Sequence, residues 1–209
     1  PLQAPSIYIV TKTADQIYDE WLVLKVRSGD MDAVSALVKR WQPAALSYAQ
    51  IVTREKELAA EAVQESWISG IRAIRKLRDP ARFRPWFYKI IHNQCINGLR
   101  THQKHLKVTA AQRLEVNSMQ ASDSMDSLEH QELVNLVLSQ MPENQRVILT
   151  LFYLSELEVD EIAELLKLPS GTVKSRLHTA RGAFRRLSER SESSTYSREA
   201  FSLGVQYDE

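Results

Sequence analysis

Residues 158–187, EVDEIAELLKLPSGTVKSRLHTARGAFRRL, read as two helices meeting at a short turn, and the rest of the chain falls into place around them. Ile162, Leu165 and Leu166 put an apolar stripe on the first helix. Its opening turn carries Asp160 and Glu161, where carboxylates suit the positive end of a helix dipole. Pro169, Ser170 and Gly171 mark the turn, and Thr172 is expected to cap the helix that follows. There Val173, Leu177, Ala180, Phe184 and Leu187 recur at alternating spacings of four and three, so they project from one side. At about 100° per residue, the opposite side carries Ser175, His178, Thr179 and Arg186, flanked by Lys174, Arg181 and Arg185. No carboxylate occurs between Glu164 and Glu189.

A short helix, a tight turn and a second helix with one apolar and one basic face describe a helix-turn-helix. The second helix is narrow enough to enter a major groove, where Arg and Lys meet phosphates and small polar side chains reach base edges. The alternative is an amphipathic hairpin with an ordinary solvated face. Such faces usually mix both signs, and this one does not, which favours DNA binding.

The net charge of +1 over 209 residues conceals this distribution. Residues 66–114 hold eleven basic residues and one acid, Asp79, whereas residues 189–209 hold two basic residues and five acids. Basic charge is therefore concentrated mid-chain and in the hairpin, a footprint that suits nucleic acid. The length suits one or two domains with real cores. No apolar run approaches a membrane span, the N-terminus lacks a signal-peptide layout, and Pro1 reads as a trimmed end. The lone Cys95 leaves no disulfide framework and fits a reducing compartment. A cytoplasmic protein without membrane insertion is expected.

Residues 1–16 form an N-terminal extension to which no function is assigned. From Asp19 the pattern is helical through Trp21, Leu22, Leu24 and Val26, and Ser28-Gly29-Asp30 is a stop followed by a fresh cap. Ala33, Leu37, Trp41, Ala45, Tyr48 and Val52 continue a stripe that Pro43 is expected to kink or split. Glu57 to Leu77 is a clean helix with Val63, Trp67, Ile71, Ile74 and Leu77 inward. Its second stripe, Glu61, Gln64, Glu65, Arg72 and Arg75, is either a solvated face or a surface for a partner helix. After a break at Arg78 to Arg82, another helix runs from Phe83 to about His102. Phe87, Ile90, Ile91 and Cys95 face one way; Trp86, Lys89, His92, Asn93, Asn97 and Arg100 face the other. Beside a loop containing Arg82, Phe83 and Arg84, that polar face suits stacking on unpaired bases while neutralising phosphates. Core packing of Phe83, Trp86 and Tyr88 is the competing reading, and Ile96 sits awkwardly on the polar side.

From Gln103 to Ser127 periodicity gives way to Ser, Met, Gln, Thr and Asp, which reads as a linker. Leu128 to Met141 is helical again through Leu133, Leu136 and Val137, Pro142 opens the next helix, and Val147, Leu151 and Phe152 pack it. The second domain thus has four helices. The tail after Leu187 is Ser- and acid-rich, and disorder is the default reading. No phosphate loop, nucleophile elbow or acid/base pair is visible, so an enzyme is not expected. His92, Cys95, His102 and His105 have an H-x2-C-x6-H-x2-H spacing that is unsuited to a usual zinc finger. No metal or cofactor is expected.

Four runs carry a family resemblance: AVSALVKRWQPAALSYAQIV (33–52), AAEAVQESWISGIRAI (59–74), FRPWFYKIIHNQCINGLR (83–100) and, after the linker, MPENQRVILTLFYLSELEVDEIAELLKLPSGTVKSRLHTARGAFRRL (141–187). In that order they resemble an extracytoplasmic-function sigma factor of bacterial RNA polymerase over roughly residues 19–188, with GTVKSRLHTAR the most specific piece. The resemblance implies an all-α chain of two small helical domains joined by a flexible linker. Residues 17–104 would be a region 2-like domain, 105–127 the linker, 128–188 a region 4-like helix-turn-helix domain and 189–209 a tail. The implied partners are core RNA polymerase, promoter DNA as duplex and as melted single strand, and an anti-sigma factor.

Carried over by position, Glu61, Gln64, Glu65, Trp67 and Arg72 match the helix that binds the polymerase clamp. Arg82, Phe83, Arg84, Trp86, Lys89, His92, Asn93, Asn97 and Arg100 match the segment that captures the melted minus-10 strand. Ser170, Thr172, Lys174, Ser175, Arg176, His178, Thr179, Arg181 and Arg185 match the minus-35 reader. Departures from the family pattern are Ala60, where an acid is common, His92 and Asn97 for Arg and Asp, and Thr179 for a second Arg. Glu158 replaces a usual Ser cap and Lys167 a usual turn Gly. An autonomous helix-turn-helix regulator is the alternative function; it needs only the second domain and, usually, a dimerising or ligand module.

Overall fold

Thr13 starts the first helix with a reciprocal cap: its hydroxyl accepts from Gln16 N–H at 3.2 Å and its own N–H donates to Gln16 Oε1 at 2.9 Å. A computed structural model of the chain describes residues 12–109 and 128–202, with side-chain environments over 12–103 and 133–190. The eight α-helices among the described residues are α1 (Ala14–Arg27), α2 (Met31–Thr53), α3 (Lys56–Ala73), α4 (Phe83–Thr109), α5 (Leu128–Gln140), α6 (Glu143–Leu149), α7 (Val159–Leu166) and α8 (Ser170–Ser202). No strand occurs among them. The expected all-α class with two helical domains is what forms.

Helices α1 to α4 make the first domain. Asp30 caps α2 by accepting from the N–H groups of Asp32 and Ala33, as the Ser28-Gly29-Asp30 signal predicts. All six residues of the α2 stripe, Ala33 to Val52, are buried. Pro43 does not split the helix. It lies on the exposed side, and the carbonyl it leaves unpaired belongs to exposed Lys39, within reach of water. In α1 the inward residues are Leu22, Val23 and Val26, while Trp21 and Leu24 are exposed, contrary to the expected stripe. The buried Asp19 carboxylate accepts from Arg40 Nε at 2.6 Å and Trp41 Nε1 at 3.1 Å, so α1 is tied to α2 by charge as well as by packing. Val63, Trp67, Ile74 and Leu77 are buried as expected and Ile71 is half-buried. The chain tightens to a 3-10 turn at Ile74–Lys76. Asp79 caps a second short turn, Pro80–Arg82, that leads into α4.

Helix α4 passes its expected end near His102 and runs to Thr109, into the stretch read as linker; residues 110–127 of that stretch lie outside the described residues. In α5, Val137 and Leu138 point inward and Leu136 is exposed, a shift from the expected Leu136–Val137 pair. A wide π turn at Thr150–Leu154 follows α6. The hairpin turn also begins earlier than read. Lys167 is the C-cap of α7 with φ +55°, Leu168 and Pro169 complete the turn, and Ser170 already belongs to α8. Thr172 is therefore no cap: its N–H donates to Pro169 O at 2.9 Å inside the first turn. At the other end α8 continues past Leu187 to Ser202, which corrects the disordered reading for the first part of the tail; residues 203–209 lie outside the described residues.

The two domains pack against each other, α2 on α6 and α4 on α7, and their buried residues form one continuous cluster. Arg54, in the left-handed conformation that ends α2 (φ +62°), donates from Nη2 to Met141 O at 3.0 Å across this junction. Buried Arg146 donates to the same carbonyl at 3.3 Å. Desolvation, then the nearby charge of Arg54, lowers Arg146 to a pKa of about 10.

Candidate nucleic-acid interface

The residues expected to face duplex DNA lie on α8. Val173, Leu177 and Ala180 are buried while Lys174, Ser175, His178, Thr179, Arg181 and Arg185 are exposed, so one helix separates core from solvent as its spacing predicts. The Ser175 and Thr179 hydroxyls donate to carbonyls of their own helix, Thr172 O at 3.0 Å and Ser175 O at 3.1 Å. This leaves their oxygens as acceptors toward the outside. The Arg181 guanidinium lies over the rings of Phe152 and Tyr153, 5.3 and 5.5 Å from their centroids, which restrains a long side chain beside the exposed polar face. Ser170, Thr172 and Arg176 are less accessible than expected. All three are half-buried, and Arg176 turns toward the first domain rather than outward.

The residues expected to face a melted strand lie on α4 and the turn before it. Arg82, Asn93, Asn97 and Arg100 are exposed, and Arg84, Trp86 and Lys89 are half-buried. Phe83 does not belong to this surface. It is 2% exposed, edge-on to Trp41 and stacked on Phe87, so the core reading holds for it and for Tyr88, also 2% exposed. Trp67, inward by its spacing but placed with the clamp-binding residues by the resemblance, is likewise a core residue. Only 7% exposed, it donates from Nε1 to Gln42 Oε1 at 2.6 Å and packs on Phe87. Glu61, Gln64, Glu65 and Arg72 of the same helix are exposed.

Part of the α4 face is covered by the second domain. His92 and Ile96 line a cleft of about 510 Å³ whose other wall is Glu143, Asn144 and Val147 of α6, Leu166 and Leu168 around the hairpin turn, and Arg176 of α8. The awkward Ile96 is explained by this apolar wall. Across the same junction Arg82 Nη2 meets Glu164 Oε2 at 2.7 Å, Lys89 Nζ meets Glu164 Oε1 at 3.2 Å and Arg84 Nη1 meets Glu156 Oε2 at 2.7 Å. Hydrogen bonds from Arg82, then Lys89, hold the Glu164 carboxyl below its ordinary range. Nothing in the local sequence around Glu156, Glu164 and Arg54 signals these contacts. The charge imbalance over residues 66–114 calls for acidic partners, but the partners lie 72 to 82 residues away, beyond any local pattern.

His92 shares a 2.9 Å hydrogen bond through Nδ1 with the hydroxyl of fully buried Tyr48. Burial pushes His92 down to about 4 and Cys95 up to about 12, and raises Tyr48 well above its usual value, so all three are neutral at pH 7. Among the described residues no three His, Cys, Asp or Glu side chains converge as metal ligands; His105 lies outside the residues whose side chains are described. The His92 pKa has a consequence for stability. Because the folded value lies below the ordinary 6.5, the unfolded chain takes up a proton first as pH falls. Stability is therefore lost between about pH 6.5 and 4, by up to about 3 kcal/mol. In urea titrations across that window, His92→Gln should lose less stability than the parent; parallel pH curves for the two would refute the assignment.

Two family models match the chain in order: sigma-70 region 2 over residues 37–105 and sigma-70 region 4 over residues 131–184. The ECF RNA polymerase sigma-E factor of Haemophilus influenzae is 31% identical over 180 residues, covering 80% of this chain and 94% of that protein. Its counterpart in Escherichia coli is 29% identical over 182 residues, covering 81% and 94%. Two solved structures share the fold. CnrH in complex with the cytosolic domain of CnrY aligns at TM-score 0.57 and 20% identity, over 83% of this chain and 98% of CnrH. RpoE of Bartonella quintana in complex with the anti-sigma factor NepR aligns at TM-score 0.59 and 17% identity, over 73% and 94%.

Proposed function

The chain belongs to the extracytoplasmic-function sigma factors of RNA polymerase, and from that premise we propose how its residues divide the work of promoter recognition. Residues 17–104 bind the core enzyme and the minus-10 element, and residues 128–188 read the minus-35 element, with 105–127 as the connection. Exposed Glu61, Gln64, Glu65 and Arg72 on α3 dock on a helical surface of the core enzyme, and buried Trp67 keeps that helix in place. On α8, Lys174, Arg181 and Arg185 hold phosphates, while Ser175, His178 and Thr179 reach base edges. Ser170, Thr172 and Arg176 support them from less exposed positions. Arg82, Arg84, Lys89 and Arg100 neutralise the backbone of the melted strand, Trp86 stacks, and Asn93 and Asn97 offer hydrogen bonds to unpaired bases. His92 joins them only when the second domain moves away.

This accounts for strand opening without catalysis. A surface that binds only unpaired bases shifts the duplex equilibrium toward the open form by its differential affinity, so the protein works by binding alone. The observation that carries the reading is the exposed face of α8 over residues 170–188, which holds no carboxylate, joined in one chain to a second, separate basic face on α4. An autonomous regulator would leave the α4 face without a task. Because RpoE of Bartonella quintana is solved with the anti-sigma factor NepR, an anti-sigma protein is the expected regulator here too, acting in the cytoplasm, where the polymerase works.

The test is runoff transcription from a library of randomised promoters with bacterial core polymerase. Specific transcripts that need both components, enriched for two spaced elements, are the expected result. Duplex binding without core binding or initiation would instead support the autonomous regulator.

A further inference from the structure

We infer that the second domain of the free protein is a built-in competitor of single-stranded DNA: Glu156 and Glu164 stand on the α4 face where strand phosphates would stand. The inference rests on the reading of that face as the strand-capture surface. Three cations of the face, Arg82, Arg84 and Lys89, are each paired to one of these two carboxylates at 2.7 to 3.2 Å. Asp79, the one acid of residues 66–114, is engaged by the N–H of Ala81. A carboxylate offers a guanidinium the same two-oxygen edge as a phosphodiester, so acid and strand compete for the same donors. Glu156 holds its position at φ +50°, a conformation that non-glycine residues rarely adopt, in the four-residue connection 155–158 between the π turn and α7.

The pairs are built to be exchanged. Glu164 and Arg82 side chains are 55% and 53% exposed, so each pair is weak and screened by salt, and a partner that draws the domains apart meets little resistance from them. The masking is also selective. While part of the α4 face is covered and three of its cations are paired, Lys174, Ser175, His178 and Arg185 on α8 remain exposed. The closed chain therefore offers a duplex minus-35 element its exposed reader residues but a melted strand only a face with three cations already paired, so strand capture strengthens once the domains separate.

The experiment measures full-length protein by fluorescence anisotropy against a short labelled single strand of mixed sequence and against a promoter duplex. Small-angle scattering of the same samples reports domain separation. Glu156→Gln/Glu164→Gln removes the competing charge, and Glu156→Lys/Glu164→Lys also repels the three cations. Both should tighten single-strand binding, by about 10-fold for the Lys pair, with duplex affinity unchanged and a larger radius of gyration. Adding Arg82→Ala/Lys89→Ala to the Lys pair should abolish the gain. If the Lys pair separates the domains without tightening strand binding, and the added alanines still weaken binding, the competition is refuted while the strand site survives. If the alanines have no effect in the separated chain, the strand site itself is refuted. If scattering shows both variants as closed as the parent and single-strand affinity is unchanged, the acids hold nothing back and the inference fails.

Discussion

Replacing Phe87 by alanine destabilises the first domain by about 3–5 kcal/mol, a large share of the roughly 5–15 kcal/mol that holds a domain of this kind together. Phe87 is fully buried. Its ring lies 4.2 Å from the Trp67 ring by centroids and stacks on Phe83 at 5.4 Å with 12° between the planes. Gly70 of α3 closes the remaining side; a Cβ there would sit 3.5 Å from the Phe87 ring. Removing the ring therefore leaves a cavity between α3 and α4 walled by rigid aromatics and backbone, which cannot collapse to fill it. Phe87→Leu keeps most of the volume and should cost less than about 1.5 kcal/mol. Urea titration followed by Trp fluorescence reads both values, with three of the four tryptophans, Trp41, Trp67 and Trp86, packed around this core. An alanine variant that lost under about 1 kcal/mol would mean that the α3–α4 junction does not depend on this ring.

Reversing two charges on α8, Lys174→Glu with Arg185→Glu, lowers affinity for the promoter duplex by about 100-fold, on the order of 3 kcal/mol. Both residues are exposed, so the hairpin should fold as before and thermal unfolding should move little. The neutral pair Lys174→Ala/Arg185→Ala separates phosphate contact from base reading. Losing two phosphate contacts flattens the plot of log affinity against log salt by about two units, and weakens all sequences alike. A preserved slope with altered sequence preference would assign these cations to bases instead. Unchanged affinity in the reversed pair would remove α8 from the interface altogether.

Much of this was legible in the chain because it depends on short-range periodicity. The α2 stripe from Ala33 to Val52, the Asp30 cap and the split of α8 into a buried and a basic side each follow from residues within a few turns of one another. The errors arose where a local pattern had two solutions. Trp21 and Leu24 fit an apolar stripe as well as Leu22 and Val23 do, and only the approach of α2, with Arg40 and Trp41 reaching Asp19, selects the second set. Phe83 and Trp67 were aromatics that suited either a nucleic-acid or protein surface or a core; their mutual neighbour Phe87 places both inside. Thr172 suits a cap by residue type, yet Pro169 O already accepts from Thr172 and Val173 in the first turn, so the helix starts at Ser170.

The sequence by itself determined the helical class, the two-domain order, the hairpin and the two basic faces, since hydrophobic spacing and charge segregation act along one helix at a time. Only the tertiary structure decided which of the expected DNA-facing residues are free. Arg82, Arg84, Lys89 and His92 are met by Glu156, Glu164 and the α6–α7 surface across tens of residues of chain. Such contacts are chosen by shape and by the complementarity of distant charges, and no local spacing encodes them.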